Sequence, residues 1–423
     1  MDDLAPGRPP PALAGRSVQM VSDLLLEEQL YLYERTRMLK AKSQGLSPQQ
    51  VASQGPPLCA IEDADIDEKV GAQDKAVYLV FMEGSTRTKE SLRNAAAFHG
   101  VKVNEFQAES SSFQKNETIT DTMKMLTVYS TQRSVFVVRS PLEGVCSWLQ
   151  NPLPFGRPDG NPCWTGVRLA VAASLRPGAA GRPRVRTAMP GHAAKFGIPT
   201  PSFINAGDGR NSHPLSELAD MYSLLEASKW NRQTVHIALV GDLKNGRTAH
   251  SKVDGLLCFK NIRVDLIAPE PFGLPIEYVK RMESKNFEVR TYRSTEEYMN
   301  RETRSTLATL WYFFRPQVHK RGTLDDVASL ALRGQISFRP EWRQKLSENT
   351  RFFQTLPRDK EHPLIPLSFD QTPLNGWDGV SSNAYFLHVV MLSMLLGKIG
   401  HSTDCANAAE KLACSTEDLG EEA

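Results

Sequence analysis

Apolar runs and helical periodicities alternate along most of this chain. Residues 77–82 (VYLVFM) and 134–138 (SVFVV) are continuously apolar, the pattern of strands buried on both faces. Between them, 88–99 reads as a helix stopped by Gly100, 102–106 as a strand and 118–130 as a helix. After a break the alternation resumes. Pro214–Ala227 is a helix, 235–240 a strand, 248–259 a helix, 262–267 a strand, 275–285 a helix and 287–292 a strand. Strands at 307–313 and 352–356 and a closing helix at 383–396 follow. Strands alternating with helices of this length predict parallel sheets. The chain therefore reads as α/β, two doubly wound parallel-sheet domains joined by interdomain helices. At the N-terminal end, Ser22 is placed to cap a helix over 23–40, with Leu24, Leu25, Leu30, Leu32 and Leu39 as its apolar stripe. Residues 1–16 are rich in Pro and Gly and read as a disordered head.

The break at 151–195 changes the picture. It holds 6 Gly and 7 Pro in 45 residues, and seven basic residues against one acid. That segment is +6 in a chain of 423 residues whose total is +2, from 50 Lys and Arg against 48 Asp and Glu. The near-neutral total gives no reason to expect nucleic acid or a charged membrane as partner. The longest apolar stretch, 386–396, is far shorter than the roughly 20 residues of a membrane span. Six scattered cysteines form no CxxC pair, which argues against a zinc site or a disulfide framework. Met1-Asp2-Asp3 carries no basic leader. The expectation is a reducing, cytoplasmic, soluble setting.

The candidate chemistry lies where predicted strands end. GSTRT (84–88) follows a buried strand and opens a helix, where free N–H groups and the dipole suit a phosphate. Ser85, Thr86 and Thr88 add hydroxyls and Arg87 a bidentate cation. The plainer reading is a solvated Ser/Thr cap. Arg139 ends the second buried strand; alone, it could be a strand-end arginine in water. NAGDG (205–209) precedes His213-Pro214 at a helix start, where a histidine stays neutral and can donate, or simply serves as a structural partner. GDLKNGRTAH (241–250) repeats the strand, glycine-rich loop, helix layout without a dinucleotide or P-loop spacing, and aims Arg247 from a helix start. Arg315-Pro316-Gln317 and Leu356-Pro357-Arg358 follow later strands. No carboxylate pair, Ser/His/Asp series or metal cluster emerges. Arginines and hydroxyls point to an enzyme that positions anionic substrates and stabilises developing charge without a covalent intermediate.

GSTRT, SSSFQKNET with ITDT, VVRSP, NAGDG with HP, GDLKNGRTAHS, RPQ and LPR, in this order, resemble the aspartate carbamoyltransferase family. The resemblance implies transfer of the carbamoyl group from carbamoyl phosphate to L-aspartate, the second step of pyrimidine synthesis. It implies no cofactor or metal. Ser85, Thr86, Arg87 and Thr88 would hold the phosphate, and Arg139 and His213 would polarise the carbamoyl carbonyl. Arg247 and Arg315, assisted by Gln317, would bind the aspartate carboxylates, with backbone at Leu356 and Pro357 orienting the amine. Lys115, and Ser111 or Ser112, would reach a neighbouring subunit's site in a homotrimer. The implied division is a head at 1–16, a carbamoyl-phosphate-binding domain at 17–212 and an aspartate-binding domain at 213–381. A returning helix at 382–400 and a polar tail at 401–423 complete it.

The chain departs from the family at several points. Ser216 stands where the family has glutamine after His-Pro-Thr, Lys89 replaces an arginine, Asn245 a tyrosine, and Gln354-Thr355 the usual His-Pro. The insert at 151–195 reads either as a disordered surface loop or as translated non-coding sequence. The substitutions also leave open a catalytically silent homologue that binds ligands or partners.

Overall fold

The computed structural model describes residues 13–61, 75–107, 119–129, 133–150, 188–209, 211–316, 326–356, 358–359 and 361–399. Lys115, Ser111, Ser112, Gln317, Pro357, most of the insert, the start of the head and the tail after 400 lie outside the described residues.

The first half forms a five-stranded parallel sheet from β1 (Ser17–Val18), β2 (Lys75–Phe81), β3 (Lys102–Gln107), β4 (Arg133–Ser140) and β5 (Ser202–Asp208), in the order β1-β5-β4-β2-β3. Its helices are α1 (Leu26–Ser43), α2 (Pro48–Ser53), α3 (Thr86–Phe98), α4 (Ile119–Thr127), α5 (Val145–Gln150) and α6 (Ala188–Lys195). Helix α7 (Pro214–Ala227) leads to the second five-stranded parallel sheet. It contains β6 (Thr234–Gly241), β7 (Asn261–Ile267), β8 (Glu288–Tyr292), β9 (Leu310–Phe314) and β10 (Arg351–Gln354), in the order β10-β9-β6-β7-β8. Helices α8 (Arg247–Gly255), α9 (Ile276–Ser284), α10 (Thr295–Arg301), α11 (Asp326–Ile336) and α12 (Asp378–Leu395) complete it.

Both sheets are doubly wound, as the alternation predicts. In the first, the chain steps outward from β2 to β3 and then returns to β4, so the winding reverses between β2 and β4. In the second, it reverses between β6 and β9. Ligands of open α/β sheets bind at the carboxyl ends of strands at such reversals. The apolar runs explain the central strands. β4 is buried from Ser134 onward, and Tyr78, Phe136 and Phe203 stack across β2, β4 and β5 at 4.8 and 5.3 Å. In the second sheet Trp311 packs between Phe338 and Phe352. One apolar cluster runs through both domains, from Leu79 and Ile204 through Leu218 and Leu225 of α7 and Leu392 of α12 to Leu239 and Val264. These two helices are the expected interdomain connectors.

Several boundaries differ from expectation, each for a local reason. α1 starts at Leu26 and Ser22 does not cap it. Asp23 instead accepts from the Gln19 and Met20 N–H groups, closing a separate 3-10 turn, and Glu28 reaches back to the Leu25 N–H at 2.8 Å. Leu25 is 58% exposed and leaves the expected stripe. Residues 13–16 pack on the first sheet, unlike the expected head: Leu13 is buried and the Arg16 carbonyl accepts from the Phe203 N–H. The insert ends in helix α6, whose His192 bonds the Lys124 carbonyl of α4, so its last eight residues belong to the first domain. β9 begins at Leu310 because the preceding backbone is taken by side chains: Ala308 N–H donates to the Tyr298 hydroxyl and Ala308 C=O accepts from the Trp311 indole. No helix among the described residues is long and apolar enough to cross a membrane.

Candidate active site

A cleft of about 1080 Å³ lies between the domains, where the two winding reversals face each other. Four arginines supply its positive charge, one from each strand beside a reversal. Arg87 opens α3 after β2, Arg139 closes β4, Arg247 opens α8 after β6, and Arg315 follows β9. Ser85, Thr86, Thr88, Gln354, Thr355 and Leu356 line the same space. The sequence-based candidates that are described therefore converge on one site.

The first-domain wall is built for an anion. Ser85 is the N-cap residue of α3, with extended backbone, but its hydroxyl makes no cap bond. The Ser85 hydroxyl is therefore not spent on the cap, and the helix's first N–H groups have no intrahelical partner beside the cleft. Arg139 is buried and donates from Nη1 to the Ala206 carbonyl at 2.9 Å. Arg247 donates to the Gly209 carbonyl at 3.3 Å. Gly207 lets the two guanidiniums meet: its φ is +115°, and a Cβ there would lie 2.9 Å from Arg139 Nη1 and from Arg247 Cζ. The loop is held by Asp208, which is buried. Its carboxylate accepts from Gln19 Nε2 at 2.6 Å, Asn205 Nδ2 at 2.8 Å, and the Gly144 and Ser212 N–H groups at 2.7 and 2.9 Å. Lys89, the replacement for an arginine, faces away to pair with Glu105 at 2.6 Å.

The arginines crowd one another. Burial, then Arg247, pushes Arg139 down to about 10, and burial also lowers Arg247. Burial, then Arg315, lowers Arg87. Glu83, which sequence reading passed over although it adjoins GSTRT, supplies a partial counter-charge, 3.6 Å from Arg139 and 4.0 Å from Arg247. Such a cluster gains from a further anion.

His213 is the N-cap of α7. Its Nδ1 accepts from the Ser216 N–H at 3.3 Å, so Nε2 carries the proton and faces Thr88 Oγ1 at 3.4 Å. Burial first, then Arg247 and Arg139, holds it well below the usual histidine range. It is a neutral donor at the cleft. His388 of α12, also missed in the sequence, lines the floor and bonds Ser91 Oγ through Nδ1 at 2.8 Å; burial pushes it down to about 4. Both folded values lie below the unfolded value, so the unfolded chain takes up these protons first as pH falls through about 6.5. Stability should drop below that pH, with His388 alone accounting for a loss on the order of 2 kcal/mol at pH 5. Chemical unfolding at pH 7.5 and 5.0 should show a smaller pH dependence for His388→Gln than for the parent; equal dependence would contradict the assignment.

On the opposite wall, Arg358 is occupied. It pairs with Asp370, donating from Nη1 to Oδ1 at 2.6 Å, and lies over the Trp377 ring. It braces the turn that presents Leu356. Asn245, where the family has tyrosine, turns back to the Asp242 carboxylate. Asp220 and Tyr312 line the cleft as well and were not singled out in the sequence. A signal existed: Glu217, Asp220 and Lys252 are charges placed among the apolar positions of helical segments. Among the described residues no cluster of His, Cys, Asp and Glu is placed to hold a metal.

Two doubly wound domains thus enclose an arginine-lined interdomain cleft with the charge to hold anionic ligands. Residues 16–151 match the family model for the aspartate/ornithine carbamoyltransferase, carbamoyl-P binding domain. Protein PyrBI of Treponema denticola is 41% identical over 390 residues, 91% of this chain and 62% of its own length. Protein PyrBI of Thermotoga maritima is 40% identical over 402 residues, 94% of this chain and 65% of its own length. The chain thus spans less than two thirds of these relatives. The fold matches a crystal structure of aspartate transcarbamoylase from Trypanosoma cruzi in complex with carbamoyl phosphate and aspartate, with TM-score 0.65 and 21% identity, covering 92% of this chain and 99% of that one. The first half of the chain thus matches the carbamoyl-P binding domain of the aspartate/ornithine carbamoyltransferases, and most of the chain is similar to Protein PyrBI.

Proposed function

We propose that the protein transfers the carbamoyl group of carbamoyl phosphate to the amine of L-aspartate, yielding N-carbamoyl-L-aspartate and phosphate. The observation that carries this reading is the convergence of Arg87, Arg139, Arg247 and neutral His213 on one cleft at the two winding reversals. The phosphate sits against the start of α3, held by the hydroxyls of Ser85, Thr86 and Thr88 and by Arg87. Arg139 and the Nε2–H of His213 polarise the carbamoyl carbonyl. Arg247 and Arg315 take the two carboxylates of aspartate, and backbone at Leu356 orients its amine. The uncharged amine attacks the carbamoyl carbon. The tetrahedral oxyanion is stabilised by Arg139 and His213, the bond from carbon to the phosphate oxygen breaks, and the departing phosphate takes the amine's proton. Holding both substrates in one cleft supplies the orientation that the reaction needs. No cofactor enters this scheme.

The finer parts of the reading are a place in pyrimidine synthesis, a cytoplasmic setting and a homotrimer in which Lys115 and Ser111 or Ser112 complete a neighbour's site. Sedimentation of the purified chain tests the assembly. The central test is turnover: purified protein should form phosphate and ureido product in equal amounts from carbamoyl phosphate and L-aspartate. Folded protein that binds carbamoyl phosphate in calorimetry yet forms neither would instead establish the silent-homologue reading, which Ser216 and Gln354-Thr355 motivate. Arg315→Ala should raise KM for aspartate about 30-fold, the value of charge-assisted hydrogen bonds, with KM for carbamoyl phosphate little changed. Equal effects on both KM values would remove Arg315 from the carboxylate site.

A further inference from the structure

A buried polar chain runs from the interdomain helix to the cleft's second wall, and the transfer scheme does not use it. Lys252 of α8 has no exposed side-chain surface. Its ammonium donates to Glu217 Oε2 at 2.7 Å and to Asp220 Oδ2 at 2.8 Å, both on α7. It also lies 4.4 Å from the centre of the Tyr312 ring. Gly255 makes room for the triad: a Cβ there would lie 2.2 Å from Glu217 Oε1. Tyr312 is fixed on several sides, by its β9 backbone, by the ammonium on its ring and by the Phe314 ring at 4.8 Å. Its hydroxyl contacts Thr355 Oγ1 at 3.1 Å, and the Asp220 carboxylate bears on the same hydroxyl.

Position 355 is where the resembled family has proline. Proline fixes its own φ and restricts the residue before it. Threonine at this position leaves the turn after β10 freer, and the next residue is Leu356, whose backbone faces the substrate amine in the proposed scheme. A side-chain tether can recover that lost order. A buried ion triad is a poor source of net stability but a good source of unique geometry.

We propose that Tyr312 is a positioning residue: seated on the Glu217–Lys252–Asp220 triad, it pins Thr355 through their hydroxyl contact and so fixes the Leu356 turn for the amino-dicarboxylate substrate, the task of proline in the family. This rests on the transfer reading above. Tyr312→Phe keeps the ring and its cation and deletes only the hydroxyl; Thr355→Val deletes the other partner. Each should raise KM for L-aspartate about tenfold, the value of one well-placed hydrogen bond, with kcat and KM for carbamoyl phosphate within about twofold of the parent. The double variant should be no worse than either single one, because both remove the same contact. Thr355→Pro should restore KM in the Tyr312→Phe background, a rescue that a purely structural role would not produce. Parent turnover with unchanged aspartate KM in both single variants, with losses that add in the double variant, or without rescue by proline overturns the tether alone. Absence of turnover in the folded parent overturns the transfer reading and the tether with it.

Discussion

Arg139→Met should lower kcat/KM for carbamoyl phosphate by about 10³-fold while leaving the unfolding midpoint unchanged or raised. The activity loss follows from position. Arg139 closes β4 at the first winding reversal, is buried, and sits with Arg247 and His213 where negative charge would develop on the carbamoyl oxygen. A buried, preorganised cation there is worth far more than one in water. The stability result has the opposite sign because the charge is held at a cost. Burial and the Arg247 charge push Arg139 down to about 10 from an ordinary value of 12.5. At neutral pH the folded state carries a charge that the unfolded chain holds more easily, a penalty on the order of 3 kcal/mol. Methionine fills much of the volume and gives up one hydrogen bond, to the Ala206 carbonyl. Inorganic phosphate, which the proposed scheme places on Ser85, Thr86, Arg87 and Thr88, should raise the midpoint of parent and variant alike by mass action. A variant that unfolds well below the parent, or that keeps most of its activity, would contradict this account.

Gly207→Ala is expected to cost about 10³-fold in activity and roughly 1–3 kcal/mol in stability. At φ +115° an alanine is strained, and its methyl would lie 2.9 Å from Arg139 Nη1 and from Arg247 Cζ. Surface guanidiniums would swing aside at little cost. These two are tethered, Arg139 to the Ala206 carbonyl and Arg247 to the Gly209 carbonyl. The methyl therefore displaces both cleft guanidiniums through a residue with no functional atoms of its own. Gly334 in α11 is the matched control: it is exposed, nothing lies within 4 Å of its would-be Cβ, and alanine there should be neutral or stabilising by about 0.5–1 kcal/mol. Steady-state kinetics and chemical unfolding of the two variants separate the site-specific effect from a general glycine effect. Full activity in Gly207→Ala would mean that the arginines do not need this approach.

The amino-acid sequence by itself determined the two doubly wound sheets, because strands buried on both faces must be continuously apolar and the helices covering them must be periodic. Val77, Leu79, Val135 and Val137 announce the first sheet, and Ile237, Leu239 and Leu266 the second. The candidate arginines were also legible, since each follows an apolar run and ligands gather at strand ends. Short elements held by tertiary contact escaped. β1 exists only by pairing with β5, α6 is held by packing on α4 and α5, and the start of β9 is set by the Tyr298 and Trp311 side chains. α10 carried a readable Ser294 to Glu297 cap that the periodicity obscured.

What only the tertiary structure decided is which charges meet. No spacing in the chain brings Arg139 and Arg247 together beside Gly207, aims the His213 Nε2 proton at Thr88, or seats Tyr312 between Lys252 and Thr355. Apolar burial is non-directional and leaves a periodic trace along the sequence. Charge chemistry depends on distances of 3 to 4 Å between residues far apart in the chain, and those are settled only when the sheets and the two connecting helices pack.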